Sequence, residues 1–300
     1  MGNKLLAIDN LGEIGVWDDN TGEALLRAKT GVSCYFPERF FSPCIRGGNL
    51  MGLLDKEGKY LLFRGVNGEI MTKIYCRGEV SAVACCPRGV IAATGHFNGG
   101  VQFWDIWQGS LLDFFEGDGE IVRLSFSPDC RYVAAVCSYC RKSGGDGIVI
   151  YDLGKKKIVK KCPVEGVPEI AWWGNDIIIM SSHIYMNLRG YDIKNRKEVL
   201  FKTTPDFKGG DKIAVSPGIL FLARTMGVSV SIWDIWSGEL LKEVSQDFGA
   251  VTSIAAADGE FAIGTEKGII EIWERSGLDW KISKKIKSKM KECISFLRFF

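Results

Sequence analysis

Three observations predict an all-β fold, a seven-bladed β-propeller of four-stranded antiparallel blades. The phrase Trp104-Asp105-Ile106-Trp107-Gln108-Gly109-Ser110-Leu111-Leu112 returns as Trp233-Asp234-Ile235-Trp236-Ser237-Gly238-Glu239-Leu240-Leu241, 129 residues later, which is three periods of 43. An aromatic residue followed by a charged one recurs at Trp17, Phe63, Trp104, Tyr151, Tyr191, Trp233 and Trp273, at intervals of 40 to 47 residues. The segments that end on these anchors, such as Val101–Trp104 and Ile148–Tyr151, are apolar on both faces, as in a sheet packed between two neighbours. A repeat of this length cannot bury both faces of its sheet alone, so the units must stack.

The elements follow in order. The chain enters at what reads as the second strand of a blade, 4–9, then 15–18 ending on Trp17-Asp18, then 24–29, so this blade lacks its innermost strand. The Phe63-Arg64 anchor follows an insertion containing Tyr35-Phe36-Pro37-Glu38-Arg39-Phe40-Phe41, read equally well as a local plug or an exposed contact. Strands 80–85 and 90–94 precede Trp104; 121–126 and 132–137 precede Tyr151, joined by the turn Ser125-Phe126-Ser127-Pro128-Asp129. A second insertion lengthens the loop from Ser138 to Gly147. Tyr191-Asp192, Trp233-Asp234 and Trp273-Glu274 complete the series. Gly22, Gly68, Gly109 and Gly238 stand five residues after their anchors, where a tight turn uses the free φ of glycine. After Trp273 comes an outer strand near 280–287. Cys293 to Phe299 then reads like Ile121 to Phe126 and supplies the missing innermost strand, closing the ring and removing its open edges. Deleting 293–300 is expected to destabilise the ring severely. No helix is required anywhere.

The Trp-Asp dipeptides, the Ser-Phe-Ser-Pro-Asp turn and the Gly-containing hairpins resemble the WD-repeat family across essentially the whole chain. The resemblance implies a rigid, noncatalytic scaffold that binds protein or peptide partners on a propeller face. The family's Gly-His dipeptide before the innermost strand is missing from every blade. The buried Asp, His, Ser/Thr and Trp hydrogen-bond network of typical members is therefore not expected, and hydrophobic contacts between blades must carry more of the stability.

Composition agrees with one globular domain over 1–300: 46% hydrophobic and 25% charged. No stretch approaches the roughly 18 consecutive apolar residues of a membrane span, and the N-terminus has neither a cleavable leader nor a myristoylation signal. A cytoplasmic location is the default. The ten Cys residues read mainly as buried small hydrophobes, although the scarcity of Gln hints at a thermophile, in which a few disulfides would be reasonable. Cys137-x-x-Cys140 lacks the further ligands of a zinc site, with Cys130 at the opposite end of the same strand, so no metal and no cofactor is expected. Two histidines cannot build a His-rich catalytic centre, and no nucleophile elbow or phosphate loop occurs. A small-molecule enzyme with its site in the central channel is the least favoured of three functional readings.

The net charge of +2 conceals an uneven distribution. Lys155 to Lys161 and Lys281 to Lys291 are lysine strips without an acid, both on or beside outermost strands. Lysine there guards an edge against aggregation; the sharper alternative is an RNA or ribonucleoprotein partner drawn by charge. The two strips sit three blades apart, too far for one duplex.

Two faces offer candidate contacts. Loops on a rigid scaffold commonly carry function, which directs attention to Tyr139, Arg141 and Lys142 in the 138–147 loop and, around the same rim, to His96, Phe97, Asn98, Tyr185 and Arg224. On the other face, Trp107 and Trp236 occupy equivalent turns after their anchors. Exposed Trp is enriched at binding hot spots, but a repeated position also suits packing onto the neighbouring hairpin, which the repetition favours.

Overall fold

The computed structural model describes residues 4–9, 11, 13–18, 20–29, 41–44, 50–55, 58–65, 69–117, 119–140, 145–164, 166, 169–182, 187–200, 212–216, 219–223, 227–245, 247, 249–277, 279–288, 290 and 294–299. Among these residues there are strands and turns and no helix.

In chain order the Trp17 sheet holds β1 (Lys4–Asp9), β2 (Glu13–Asp18) and β3 (Ala24–Lys29). The Phe63 sheet holds β4 (Phe41–Cys44), β5 (Leu50–Leu54), β6 (Tyr60–Gly65) and β7 (Ile70–Tyr75). The Trp104 sheet holds β8 (Val80–Cys85), β9 (Ile91–His96), β10 (Val101–Asp105) and β11 (Leu111–Phe115). The Tyr151 sheet holds β12 (Glu120–Phe126), β13 (Tyr132–Cys140), β14 (Gly145–Asp152) and β15 (Lys157–Val164). The Tyr191 sheet holds β16 (Glu169–Trp173), β17 (Ile177–Ser182), β18 (Asn187–Asp192) and β19 (Lys197–Leu200). The Trp233 sheet holds β20 (Lys212–Ser216), β21 (Ile219–Ala223), β22 (Ser229–Asp234) and β23 (Leu240–Ser245). The Trp273 sheet holds β24 (Val251–Ala257), β25 (Glu260–Thr265), β26 (Ile269–Ser276) and β27 (Asp279–Lys287), and β28 (Ile294–Phe299) returns to the Trp17 sheet, whose order is β28-β1-β2-β3. Each of these seven sheets is four-stranded and antiparallel, six of them meanders of consecutive strands and the Trp17 sheet a three-stranded meander completed by β28.

The strands fall into two compact units, 38–168 and, separately, 1–37 with 169–300. In the first, the inner strands β4, β8 and β12 pack side by side, and every residue of β8 is buried. Its core holds Phe103, Phe115, Ile121, Phe126 and Tyr151. The ring of Tyr151 stacks 5.2 Å from Phe103 and 5.1 Å from Phe115, while its hydroxyl donates to Asp113 on β11 at 2.6 Å. Burial, followed by the Asp113 carboxylate, raises the phenol's pKa well above its usual value.

In the second unit β16, β20, β24 and β28 pack in succession. β28 pairs with β1 from Leu5↔Phe299 to Asp9↔Ile294. Its neighbours treat Ile294 as β8 and β9 treat Ile121. Ser81 Oγ donates to the Ile121 carbonyl at 2.7 Å, and Thr252 Oγ1 and Ser253 Oγ donate to the Ile294 carbonyl at 2.6 and 2.7 Å. A methyl group on Gly95 would lie 2.3 Å from Ile121 Cγ2, and one on Gly264 would lie 2.6 Å from Ile294 Cγ2. Glycine is thus required where a strand meets the next inner strand.

Two features repeat. In six sheets the ladder between the third and outer strands slips by one residue at the anchor, for instance between Phe103↔Asp113 and Trp104↔Leu111, leaving Leu112 as the bulge. Such bulges turn an edge strand away from stray pairing. The residue five after the anchor is left-handed in five sheets, at Gly22, Gly109, Lys156, Arg196 and Gly238; Gly68 lies outside the described residues. The turn demands the conformation even where no glycine is present.

The 138–147 segment differs from expectation. β13 runs to Cys140 and β14 starts at Gly145, with Cys140 opposite Gly145, so most of the insertion is an extended hairpin and only 141–144 lie between the strands.

Candidate binding surfaces

In five sheets the Asp that follows the anchor builds its turn. Asp105 accepts from the amides of Trp107 (2.8 Å) and Gln108 (2.7 Å), and Asp234 from those of Trp236 (2.9 Å) and Ser237 (2.7 Å). Asp18, Asp152 and Asp192 cap their own turns in the same way. The amide of Ser237 foremost holds the Asp234 carboxyl below the ordinary range, as the amide of Thr21 does for Asp18. Carboxylates that accept several N–H bonds favour their charged form.

These turns fix the backbones of both tryptophans and leave the rings outward. Trp107 is 47% and Trp236 73% exposed. Trp236 stands edge-on to Trp173 at the end of β16, with centroids 4.2 Å apart and planes at 65°. Trp173 packs against the core of Ile179, Leu188, Ile213, Trp233 and Ile235. One ring of the pair is half-buried against the core and the other is presented on it. An exposed ring whose backbone is already ordered loses little entropy when it is covered.

The rim residues divide. His96 ends β9 and is buried at 3% exposure, whereas Phe97 and Asn98 are exposed in the following turn. Asn98 Oδ1 accepts from the Gly100 amide at 3.0 Å, and Gly99 N–H donates to the His96 carbonyl at 3.0 Å. Trp104 Nε1–H donates to Thr94 Oγ1 at 2.9 Å, and that hydroxyl shares a 3.2 Å hydrogen bond with His96 Nε2. A buried Trp, Thr and His network therefore exists in this sheet, contrary to the expectation that none would form. The missing Gly-His dipeptide does not remove it, because the imidazole comes from the second strand of the same sheet. Burial lowers the pKa of His96, so the ring is neutral at pH 7. The signal in the sequence was Thr94-x-His96 with Trp104 ten residues beyond the threonine.

Tyr139 lies on β13, with its side chain outside the described residues, as are Arg141, Lys142, Tyr185 and Arg224. The lysine strips lie on or beside the outer strands β15 and β27. The second has neighbours the sequence did not suggest. Lys284 Nζ contacts the Asn20 carbonyl, which brings β27 beside the β2–β3 turn, and β3 exposes Arg27 and Lys29. Arg27 and Lys29 line a cleft of about 340 Å³ with Glu13, Trp17, Ser288 and Met290. Two of these cations already have acids: Lys29 pairs with Glu13 at 3.2 Å, and Lys285 with the fully buried Glu271 at 3.1 Å. Among the described residues no three His, Cys, Asp or Glu side chains converge as a metal site requires.

No model of a known protein family matches the chain. It is 35% identical over 88 residues to the small ribosomal subunit protein RACK1z of Arabidopsis thaliana, and 33% identical over 88 residues to the small ribosomal subunit protein RACK1 of Brassica napus. Each match covers 29% of this chain and 25% of the relative, so the likeness spans a quarter of those proteins. Among solved structures, the computationally designed Ika8 protein superposes with a TM-score of 0.71 at 16% identity, over 99% of this chain and 87% of that one. The WD40 repeats of RRP9 superpose with a TM-score of 0.69 at 13% identity, over 87% of this chain and 84% of that one. These likenesses and the repeated four-stranded meanders make the architecture an all-β propeller.

Proposed function

We propose that this chain, a divergent WD-repeat β-propeller, is a noncatalytic cytoplasmic platform for protein or peptide partners, with its seven sheets closed into one ring over 1–300 through β28. The observation that carries the functional reading is the Trp173–Trp236 pair. A 73% exposed indole held on a capped turn and backed by a half-buried tryptophan has the composition of a hot spot. The names of the relatives, small ribosomal subunit proteins, support a role within a larger assembly.

The test is capture of bound proteins from native extract by the tagged chain and by Trp236→Ala, each with and without nuclease. Nuclease-resistant partners that Trp236→Ala loses by about 30-fold, the worth of one hot-spot residue, support the reading. A captured set indifferent to the substitution overturns the assignment of this pair.

A second reading, association with RNA, draws on Arg27 and Lys29 lying beside the Lys281–Lys287 strip. Binding of a single-stranded RNA probe that collapses between 50 and 200 mM salt, on the order of 10³-fold for several phosphate contacts, would favour it. Absence of binding at the lower salt would dismiss it.

A further inference from the structure

Eight of the fifteen exposed large hydrophobic side chains among the described residues fall between Ile70 and Phe114, in two sheets of the 38–168 unit. β7 exposes Ile70, Met71 and Tyr75. The next sheet exposes Trp107 in its turn and Leu111, Leu112 and Phe114 on β11, the last three at 47%, 43% and 58%. The two groups share one surface: the turn between β10 and β11 packs on β7, with the position a Gly109 methyl would occupy 3.8 Å from Ile74 Cγ1, and Ile74, Trp104 and Ile106 share one core.

The charge pattern sets this surface apart. β3, β7, β15, β19, β23 and β27 each carry at least one Lys or Arg, the usual guard on an exposed edge. β11, Leu111-Leu112-Asp113-Phe114-Phe115, carries none, and no Lys or Arg occurs anywhere between Arg88 and Arg123. Its single acid faces inward to the Tyr151 hydroxyl. β11 keeps the Leu112 bulge but lacks the lysine or arginine that the other outer strands add to theirs.

We infer that a second copy of this chain covers it, the β7 and β11 surfaces of two copies meeting about a two-fold axis. Area supports this occupant. Aromatic side chains bring about 150–250 Å² each, so seven half-exposed apolar side chains present on the order of 700 Å², close to the roughly 800 Å² each partner gives to a standard interface. Charge supports it too. The ends of the two strands expose Glu69, Glu79, Glu116 and Arg77, and Lys73 stands on β7 itself between Met71 and Tyr75, its ammonium 3.8 Å over the Tyr60 ring. A partner of one sign would meet like charge there, whereas an isologous pair sets each sign against the other. This surface lies in a different unit from the Trp173–Trp236 pair, so either assignment can fail alone.

The experiment is sedimentation velocity of the full chain from 1 to 100 µM, with Leu111→Lys/Phe114→Lys, Met71→Lys and, as a control, Leu240→Lys/Leu241→Lys at the equivalent repeat positions. A wild-type dimer that the control preserves, and that both Met71→Lys and the β11 variant weaken by about 30-fold or more with the melting temperature of the dilute monomer unchanged, is the expected result. Should the β11 variant fail to fold, Met71→Lys alone decides. A monomer at 100 µM overturns the proposal, whatever other protein proves to cover the surface, and so does a dimer that the control dissociates equally or that Met71→Lys leaves intact.

Discussion

The Tyr151 hydroxyl donates to the Asp113 carboxylate across 2.6 Å, tying the third strand of one sheet to the outer strand of the sheet before it. Tyr151→Phe keeps the stacked rings of Phe103 and Phe115 and removes only this bond. The expected loss is about 1.5–3 kcal/mol, as for a hydrogen bond to a charged acceptor, measured as a lower urea midpoint with an unchanged slope. Tyr151→Phe in an Asp113→Asn background should cost less, since the partner is already altered.

Lys156 and Arg196 hold left-handed backbone at φ 51° and 54°, in the position that Gly22, Gly109 and Gly238 fill in other sheets. For an L-residue this costs roughly 1–2 kcal/mol, against about 0.4–1 kcal/mol of chain entropy that glycine returns to the unfolded state. Lys156→Gly and Arg196→Gly should each stabilise by up to about 1 kcal/mol in calorimetry, while Lys157→Gly, one residue along on β15, should destabilise.

Burial pushes the Cys76 thiol up to about 11 and the Cys130 thiol up to about 12, the latter with help from Cys86. Unfolded thiols titrate near 8.5. The fold therefore retains protons that the unfolded chain releases, and this contribution is complete below pH 8.5 and declines as pH rises towards 11–12. Melting temperature should fall between pH 8 and 10.5, less so in Cys76→Ala/Cys130→Ala. Iodoacetamide at pH 8.5 should label both thiols in urea, and in the folded chain should spare the buried Cys76 and label the half-buried Cys130 more slowly than in urea.

Deleting 293–300 strips β28 from β1 and takes away the Ile294 carbonyl that two hydroxyls of β24 share. The truncated chain should melt at least about 10 °C lower or fail to fold. An unchanged melting temperature would remove β28 from any part in closure.

The strands were legible because their physics is local. The anchors follow from apolar runs ending in an aromatic and a charged residue, and the strands 80–85 and 24–29 and the likeness of 293–299 to 121–126 from apolar runs at set distances from them. The acid's purpose was not legible: only the structure shows Asp105 and Asp234 folding back on the amides two and three residues on. The Trp104, Thr94 and His96 network was missed because the imidazole was sought before an innermost strand. The apolar surface of β7 and β11 was missed because an outer strand is recognised by what its neighbours in space leave uncovered, and its trace in sequence is the lack of a lysine. The binding reading of Tyr139, Arg141, Lys142, Tyr185 and Arg224 rests on side chains outside the described residues.

Pairing the first strand of the chain with the last also sets a timetable. Leu5 meets Phe299, so this contact spans nearly the whole sequence. Its loop-closure cost grows only as the logarithm of that span, yet contacts so distant in sequence form slowly. During synthesis β1 must wait, with one edge unpaired, until β28 has emerged. Within this chain the N-terminal sheet is the first to be made and the last to be finished, and that interval is when aggregation or a chaperone would compete for it.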